Sequence, residues 1–259
     1  MERGGFRTRI SIYFLLFILI ANFCKAQNDS RSLFMIQQYE KFGFINSNGK
    51  IIIQPKFLSA ENFSEGLAVV WINGTYGYVD AAGRFIIPAI YDYAQPFSEG
   101  LALVHKNQQS LFINVKGDKL FEVNYPIVLS FEHGLAYVQT ISGKVGFINK
   151  NGKLTIDTTY VFVRSFHEGL AIARKKVNSG DVFELDNYGV IDSTGKVIIP
   201  FGKYSYINDY KNGSFYVKII SKGPTTYGSS KVGFIDKYDH LSFSIENNGE
   251  QIIEGDMHT

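Results

Sequence analysis

The chain has 259 residues with 26 Lys+Arg against 24 Asp+Glu, 22 Phe, 16 Tyr, one Trp and one Cys. This even charge excludes a global electrostatic footprint for nucleic acid. A lone cysteine, Cys24, excludes an internal disulfide, so the fold must rest on its own core, which a chain of this length can bury.

Residues 1–26 are predicted to be a secretory signal. Arg3, Arg7 and Arg9 form a basic start, "ISIYFLLFILIA" (10–21) an apolar stretch, and Cys24-Lys25-Ala26 a small-residue cleavage site before Gln27. Phe23 is too bulky for the residue before a lipoprotein cysteine, and the apolar run is short for a spanning helix. An uncleaved N-terminal anchor is the alternative. Cleavage removes four basic residues, Glu2 and the cysteine, leaving 22 basic and 23 acidic residues. The expected product is exported, to the periplasm, the cell surface or the medium, with no membrane span after cleavage.

From there the chain repeats itself. "NFSEGLAVV" (62–70) returns as "PFSEGLALV" (96–104). Gly66, Gly100, Gly134 and Gly169 each precede Leu-Ala at spacings of 34, 34 and 35, and "YKNGSFYV" (210–217) is a degraded fifth copy. A second phrase keeps the same period: "FGFINSNGKIII" (42–53), "YGYVDAAGRFII" (76–87), "VGFINKNGKLTI" (145–156), "YGVIDSTGKVII" (188–199) and two weaker copies from Ser110 and Val232. Such a period marks stacked units, each burying its apolar face on its neighbours.

Each unit reads as three short strands. In the second unit these are Leu67–Trp71, Tyr76–Asp80 and Arg84–Ile87, separated by the hairpin signal Asn73-Gly74 and a type I turn over 80–83. Pro88, lacking an N–H, is expected to end the third strand. The first unit opens on "LFMI" (33–36), the last ends near Ile245, and residues 246–259 are a polar tail. The expected fold is all-β: about six three-stranded antiparallel meanders in one domain, 27–245, forming an elongated twisted array. A closed six-bladed propeller-like ring is the alternative.

The stretch "YGYVDAAGRFIIPAIYDYAQPFSEGLALV" resembles the WG repeat, a β-rich repeat of bacterial proteins, and the resemblance covers roughly residues 33–245. The Trp of the name-giving pair is replaced by Phe42, Tyr76, Tyr188, Val145 and Val232, and the third copy has Ser110-Leu111 without the glycine. The resemblance implies a binding or interaction scaffold without catalysis.

The recurring residues have structural explanations. Gly66, Gly100, Gly134 and Gly169 suit positive φ or close approach at a strand entry, and Gly49, Gly83, Gly152 and Gly195 recur in the second turn. The Ala after each Gly-Leu leaves a gap in which an aromatic such as Phe42 or Tyr76 is expected to pack. Glu65, Glu99 and Glu168 are expected to accept backbone N–H bonds or pair with a neighbouring unit. Asn46, Asp80, Asn114, Asn149, Asp192 and Asp236 are expected to form Asx turns rather than a calcium ladder, since each offers one side chain and calcium wants six to eight oxygens. The five histidines show no zinc spacing, and no nucleophile, P-loop or Rossmann motif occurs. No enzyme activity, metal or cofactor is expected.

Two sets of residues remain as candidate contacts. Trp71, Tyr76, Tyr78, Tyr91 and Tyr93 offer rings for a sugar or peptide. The turn over 174–187 swells in the fifth unit and carries Arg174, Lys175, Lys176, Asp181, Glu184 and Asp186, while a second insertion spans 220–231. Insertions on one edge of a repeat array often mark its binding face. The expected function is a non-catalytic exported scaffold for a protein or peptide partner at the cell envelope. The alternative is a cell-wall glycan-binding module using exposed Tyr.

Overall fold

The computed structural model describes residues 32–176, 187–220 and 230–247. The predicted signal, the centres of both insertions and the end of the tail lie outside them. The chain divides into two compact units, Met1–Glu122 and Val123–Thr259. Among the described residues every regular element is a strand.

In the first unit, sheet 1 comprises β1 (Phe34–Gln38), β2 (Lys41–Ile45) and β3 (Ile51–Phe57). Sheet 2 comprises β4 (Ser59–Ala60), β5 (Ala68–Ile72), β6 (Thr75–Val79) and β7 (Phe85–Tyr91). Sheet 3 comprises β8 (Tyr93–Ala94), β9 (Leu101–Lys106), β10 (Gln109–Asn114) and β11 (Lys119–Val123). The second unit holds three more. Sheet 4 is β12 (Ile127–Glu132), β13 (Leu135–Gln139), β14 (Val145–Asn149) and β15 (Leu154–Tyr160). Sheet 5 is β16 (Phe162–Val163), β17 (Leu170–Lys175), β18 (Asn187–Asp192) and β19 (Val197–Tyr204). Sheet 6 is β20 (Tyr206–Lys211), β21 (Ser214–Ile220), β22 (Ser230–Asp236) and β23 (Leu241–Asn247), so the last strand runs two residues into the predicted tail.

The all-β repeat architecture is as expected, but every sheet after the first gains a leading strand. Ser59 pairs with Trp71 and Ala60 with Val70, so the aromatic-polar connection is itself part of the sheet. The doubled phrase is the turn that folds this leading strand back. Ser64 and Leu67 exchange both backbone hydrogen bonds, 2.9 and 3.0 Å, around Glu65 and Gly66 at φ 53° and 85°. Two positive φ values define the type I′ turn, whose twist matches that of the flanking strands. Glu99-Gly100, His133-Gly134, Glu168-Gly169 and Asn212-Gly213 have the same pair of signs.

Pro88 does not end its strand. β7 runs through it to Tyr91, because the chain bulges there: Tyr76 pairs with Tyr91 and Tyr78 with Ile87, so Gly77 alone faces Pro88, Ala89 and Ile90. A bulged residue leaves the ladder, so a missing N–H costs nothing. Gly77 makes the bulge possible, since a Cβ on it would lie 2.6 Å from Ala89 N. Gly43 meets Pro55 N in the same way. The second residue of the repeat's name is thus a backbone contact. In the third copy Leu111 replaces it, and β11 is shorter, stopping at Val123.

Within each compact unit the core lies between consecutive sheets. Phe44, Ile53 and Phe57 of sheet 1 pack with Ala60, Ala68, Val70 and Val79 of sheet 2. Val69 and Tyr78, on the other face of sheet 2, pack with Ala94, Phe97, Ala102 and Val104 of sheet 3. β5 is buried on both faces, which is why it reads as an unbroken apolar run. The aromatic that shares a cluster with each small Ala is chiefly the buried one two residues beyond the expected position, Phe44 or Tyr78, with Phe42 and Tyr76 half-buried beside it. Each such large side chain contributes about 1.5–3 kcal/mol by leaving water. Gly77→Ala is expected to lose about 1–3 kcal/mol by forcing β7 off β6, read as a lower denaturant midpoint with an unchanged slope.

Candidate functional site

Trp71 and Tyr76 face each other across the β5–β6 hairpin. Their ring centroids are 6.1 Å apart with planes 25° from parallel. The Asn73-Gly74 turn sets that register, and cross-strand partners share one sheet face. Tyr93, on the leading strand of sheet 3, meets Tyr76 edge-on at 6.0 Å and 67°. His105, paired with Tyr93 across β8–β9, closes the row at 5.2 Å. Four rings from two adjacent sheets form one strip. Trp71, Tyr76 and His105 are half-buried, and Tyr93 is 42% exposed. The second unit repeats the central contact: Tyr188 and Tyr206, at the positions of Tyr76 and Tyr93, meet edge-on at 5.6 Å.

The structure separates the predicted aromatic contacts. Trp71, Tyr76 and Tyr93 stand together at the surface. Tyr78 and Tyr91 belong to the core. Tyr78 is fully buried and donates its hydroxyl to Gln95 O at 2.8 Å. Burial pushes its pKa far above the ordinary tyrosine value, so it stays protonated. His105 joins the strip unpredicted, although it sits one period after Trp71 and that spacing was a usable signal.

Of the predicted charged loop, Arg174 and Lys175 lie in β17 and Lys176 follows it, while Asp181, Glu184 and Asp186 lie outside the described residues. Lys175 Nζ rests 4.6 Å from the Phe201 ring centroid and 5.4 Å from that of Tyr160, a cation–π seat. Arg174 is in register with Tyr188, as Trp71 is with Tyr76.

The recurring polar residues hold backbone. Ser64 Oγ donates to Phe97 O at 2.6 Å, and Glu65 Oε2 accepts from Gly100 N at 2.9 Å. Both bonds tie one turn to the corresponding turn of the next sheet. Asn46, Asp80, Asn114, Asn149, Asp192 and Asp236 each use Oδ1 to accept N–H bonds from the second and fourth residues onward, at 2.8–3.1 Å. Thr140 accepts from Lys144 N in a related turn at the β13–β14 hairpin. Among the described residues no group of His, Cys, Asp or Glu is placed to hold a metal, and no helix is long and apolar enough to cross a membrane.

This architecture defines a tandem β-meander repeat protein. Residues 42–76, 76–109, 146–176 and 188–219 match the WG containing repeat, together half of the chain, and the chain belongs to that family. The gap between the second and third matches contains Leu111, where the glycine is lost. No curated protein matches the sequence. Similar solved structures include a eukaryotic initiation factor (TM-score 0.47, 12% identity, covering 83% of this chain and 73% of that one). BamB from Moraxella catarrhalis gives 0.40 and 9%, covering 83% and 87%. A protein of unknown function from Bacteroides caccae gives 0.33 and 15%, covering 82% and 93%. All three scores lie below 0.5, and family membership rests on the repeat match.

The Asx turns generate a prediction. Burial pushes the Asp80 pKa up, but the bonds from Arg84 and the turn N–H groups outweigh it and hold the carboxyl below its ordinary value. A depressed folded pKa contributes stability that is present above the ordinary Asp range and lost as pH falls through the folded value. Asp80→Asn keeps the Oδ1 acceptor that Asn46 supplies in its own turn, and loses only a solvent-exposed ion pair to Arg84. It is expected to fall within about 0.5 kcal/mol of wild type at pH 7 and to lose the Asp80 share of the acid-side decline. Asp80→Ala is expected to cost about 1 kcal/mol. Thermal melts at pH 7 and pH 3 check both.

Proposed function

We propose that the protein is a non-catalytic binding scaffold of the cell envelope, which takes a protein or peptide partner on the strip formed by Trp71, Tyr76, Tyr93 and His105. The strip carries this proposal. Trp and Tyr supply large, rigid contact area at small entropic cost and dominate the energetics of many interfaces. The 67° between Tyr76 and Tyr93 tilts their planes apart, which suits a contoured peptide surface better than a flat polysaccharide. The absence of a catalytic role is supported by the recurring Asx side chains, which are occupied with turn N–H groups. Export is supported by the basic and apolar pattern of residues 1–26.

A second proposal, a cell-wall glycan ligand, is favoured by the near-parallel pair Trp71 and Tyr76, which offers a stacking platform for one sugar ring. Trp71 is the only tryptophan, so its emission reports on the strip directly. For a protein partner, a photo-reactive residue at Tyr93 should crosslink one discrete envelope protein. Trp71→Ala should weaken that capture about tenfold. Cell-wall polymer should then leave Trp71 emission unchanged and co-sediment weakly or only at low salt. Salt-resistant co-sedimentation that shifts Trp71 emission and fails in Tyr93→Ala would assign the strip to glycan instead.

A further inference from the structure

Four Asn-Gly pairs lie among the described residues: Asn48-Gly49, Asn73-Gly74, Asn151-Gly152 and Asn212-Gly213. All four asparagines are exposed. Such a pair carries a latent reaction. Glycine has no side chain to keep its nitrogen from the preceding side-chain amide, and asparagine is among the thermolabile residues. The fold sorts the four pairs into two kinds of turn.

Asn48-Gly49 and Asn151-Gly152 close Asx turns. There Gly49 N donates to Asn46 O at 3.0 Å, and Gly152 N to Asn149 O at 2.8 Å. The asparagine N–H groups are held too, Asn48 N by Asn46 Oδ1 at 3.1 Å and Asn151 N by Asn149 Oδ1 at 3.0 Å. Asn73-Gly74 and Asn212-Gly213 are instead the central residues of type I′ hairpins. Ile72 pairs with Thr75 around the first, and Lys211 with Ser214 around the second. The φ values are 53° and 86° at the first pair, 52° and 80° at the second. In such a turn the closing bond joins the flanking residues and leaves the central glycine N–H unused. Among the described residues no group accepts from Gly74 N or Gly213 N. A Cβ built on Gly74 would meet nothing within 4 Å, so its nitrogen lies in the open.

We infer that Asn73 and Asn212 are sites of spontaneous deamidation, and that the reaction at Asn73 dismantles the aromatic strip. Gly74 N gives its proton to hydroxide and attacks Asn73 Cγ. The new C–N bond closes a succinimide ring, and the C–N bond of the side-chain amide breaks to release ammonia. Water then opens the ring at one of its two carbonyls, which leaves aspartate or isoaspartate with no net oxidation. At Asn48 and Asn151 the attacking nitrogen must first leave its turn hydrogen bond, so the same reaction is slower. Isoaspartate adds one atom, Cβ, to the backbone of a two-residue loop. Loop length and turn type fix hairpin register, and this loop sets Trp71 opposite Tyr76. The longer loop cannot keep that register, and it places a negative charge beside the strip. Loss of partner binding on deamidation rests on the function proposed above; the reaction and its effect on Trp71 do not.

The test is incubation of the purified full chain at mildly alkaline pH, with peptide mass mapping and Trp71 emission followed over time. Asn73 and Asn212 should deamidate at least about fivefold faster than Asn48 and Asn151. Trp71 emission should shift in step with isoaspartate at position 73. Asn73→Gly keeps a turn-forming pair, Gly-Gly, and should hold the emission constant over the same period. Asn48 or Asn151 reacting as fast as Asn73 and Asn212 would overturn the inference, as would no reaction at Asn73 or aspartate as its only product. So would emission that stays put while isoaspartate accumulates, or that drifts equally in Asn73→Gly. If deamidation and the emission shift both occur and the aged protein still captures its partner, the modification site stands and only the strip leaves the proposed function.

Discussion

A short meander with apolar side chains on both faces cannot remain in water alone. β5 carries Ala68 and Val70 toward sheet 1 and Val69 toward sheet 3, all buried. Burial of these faces between sheets is the main source of stability, and the same demand fixes the repeat length. Sheets in contact must present matching faces at matching heights, so insertions are confined to hairpin ends. The two insertions of this chain both fall at such ends, after β17 and after β21. In sheets 1, 2, 4 and 5 the third strand bulges over a glycine, Gly43, Gly77, Gly146 or Gly189. A single residue, such as Leu58 or Asp92, then leads directly into the next sheet.

Binding on such a frame belongs to whatever the frame leaves unfilled. Where Ser64 and Glu65 tie the turns of sheets 2 and 3, both side chains are occupied with backbone. Where Glu132 and His133 stand in that frame, a cavity of about 200 Å³ opens between sheets 4 and 5. Along the other edge, the aromatic of the repeat's name is only half-buried, and its free side is met by Tyr93 rather than by core. Both features come from local departures or repeat-edge positions, while the repeated polar residues themselves are occupied in turns.

Much of this was legible in the sequence. The period, the six units, the I′ signal at Asn73-Gly74, the Asx turns and the backbone role of Glu65 follow from residue type and spacing. The leading strands were not legible, because two residues such as Ser59-Ala60 carry no alternation to detect. Pro88 pointed the wrong way because the bulge that tolerates it depends on Gly77, eleven positions earlier. Tyr78 and Tyr91 could not be told from Tyr76 and Tyr93 by type alone; alternation along β6 places Tyr76 and Tyr78 on one face, and only the neighbouring sheet decides which of them it covers. The change from Ser and Glu to Glu and His at 132–133 is visible in the sequence, but the bonds that Ser64 and Glu65 make to the next turn are visible only in the structure.

The central claim is that Ser64 and Glu65 tie the turns of sheets 2 and 3, a tie with no counterpart at Glu132 and His133 among the described residues. Amide hydrogen exchange at the equivalent turn glycines tests it most directly. The Gly100 N–H, held by Glu65, should exchange measurably more slowly than the Gly169 N–H, which occupies the equivalent turn position in sheet 5. Equal rates at the two glycines, or slower exchange at Gly169, would contradict the account.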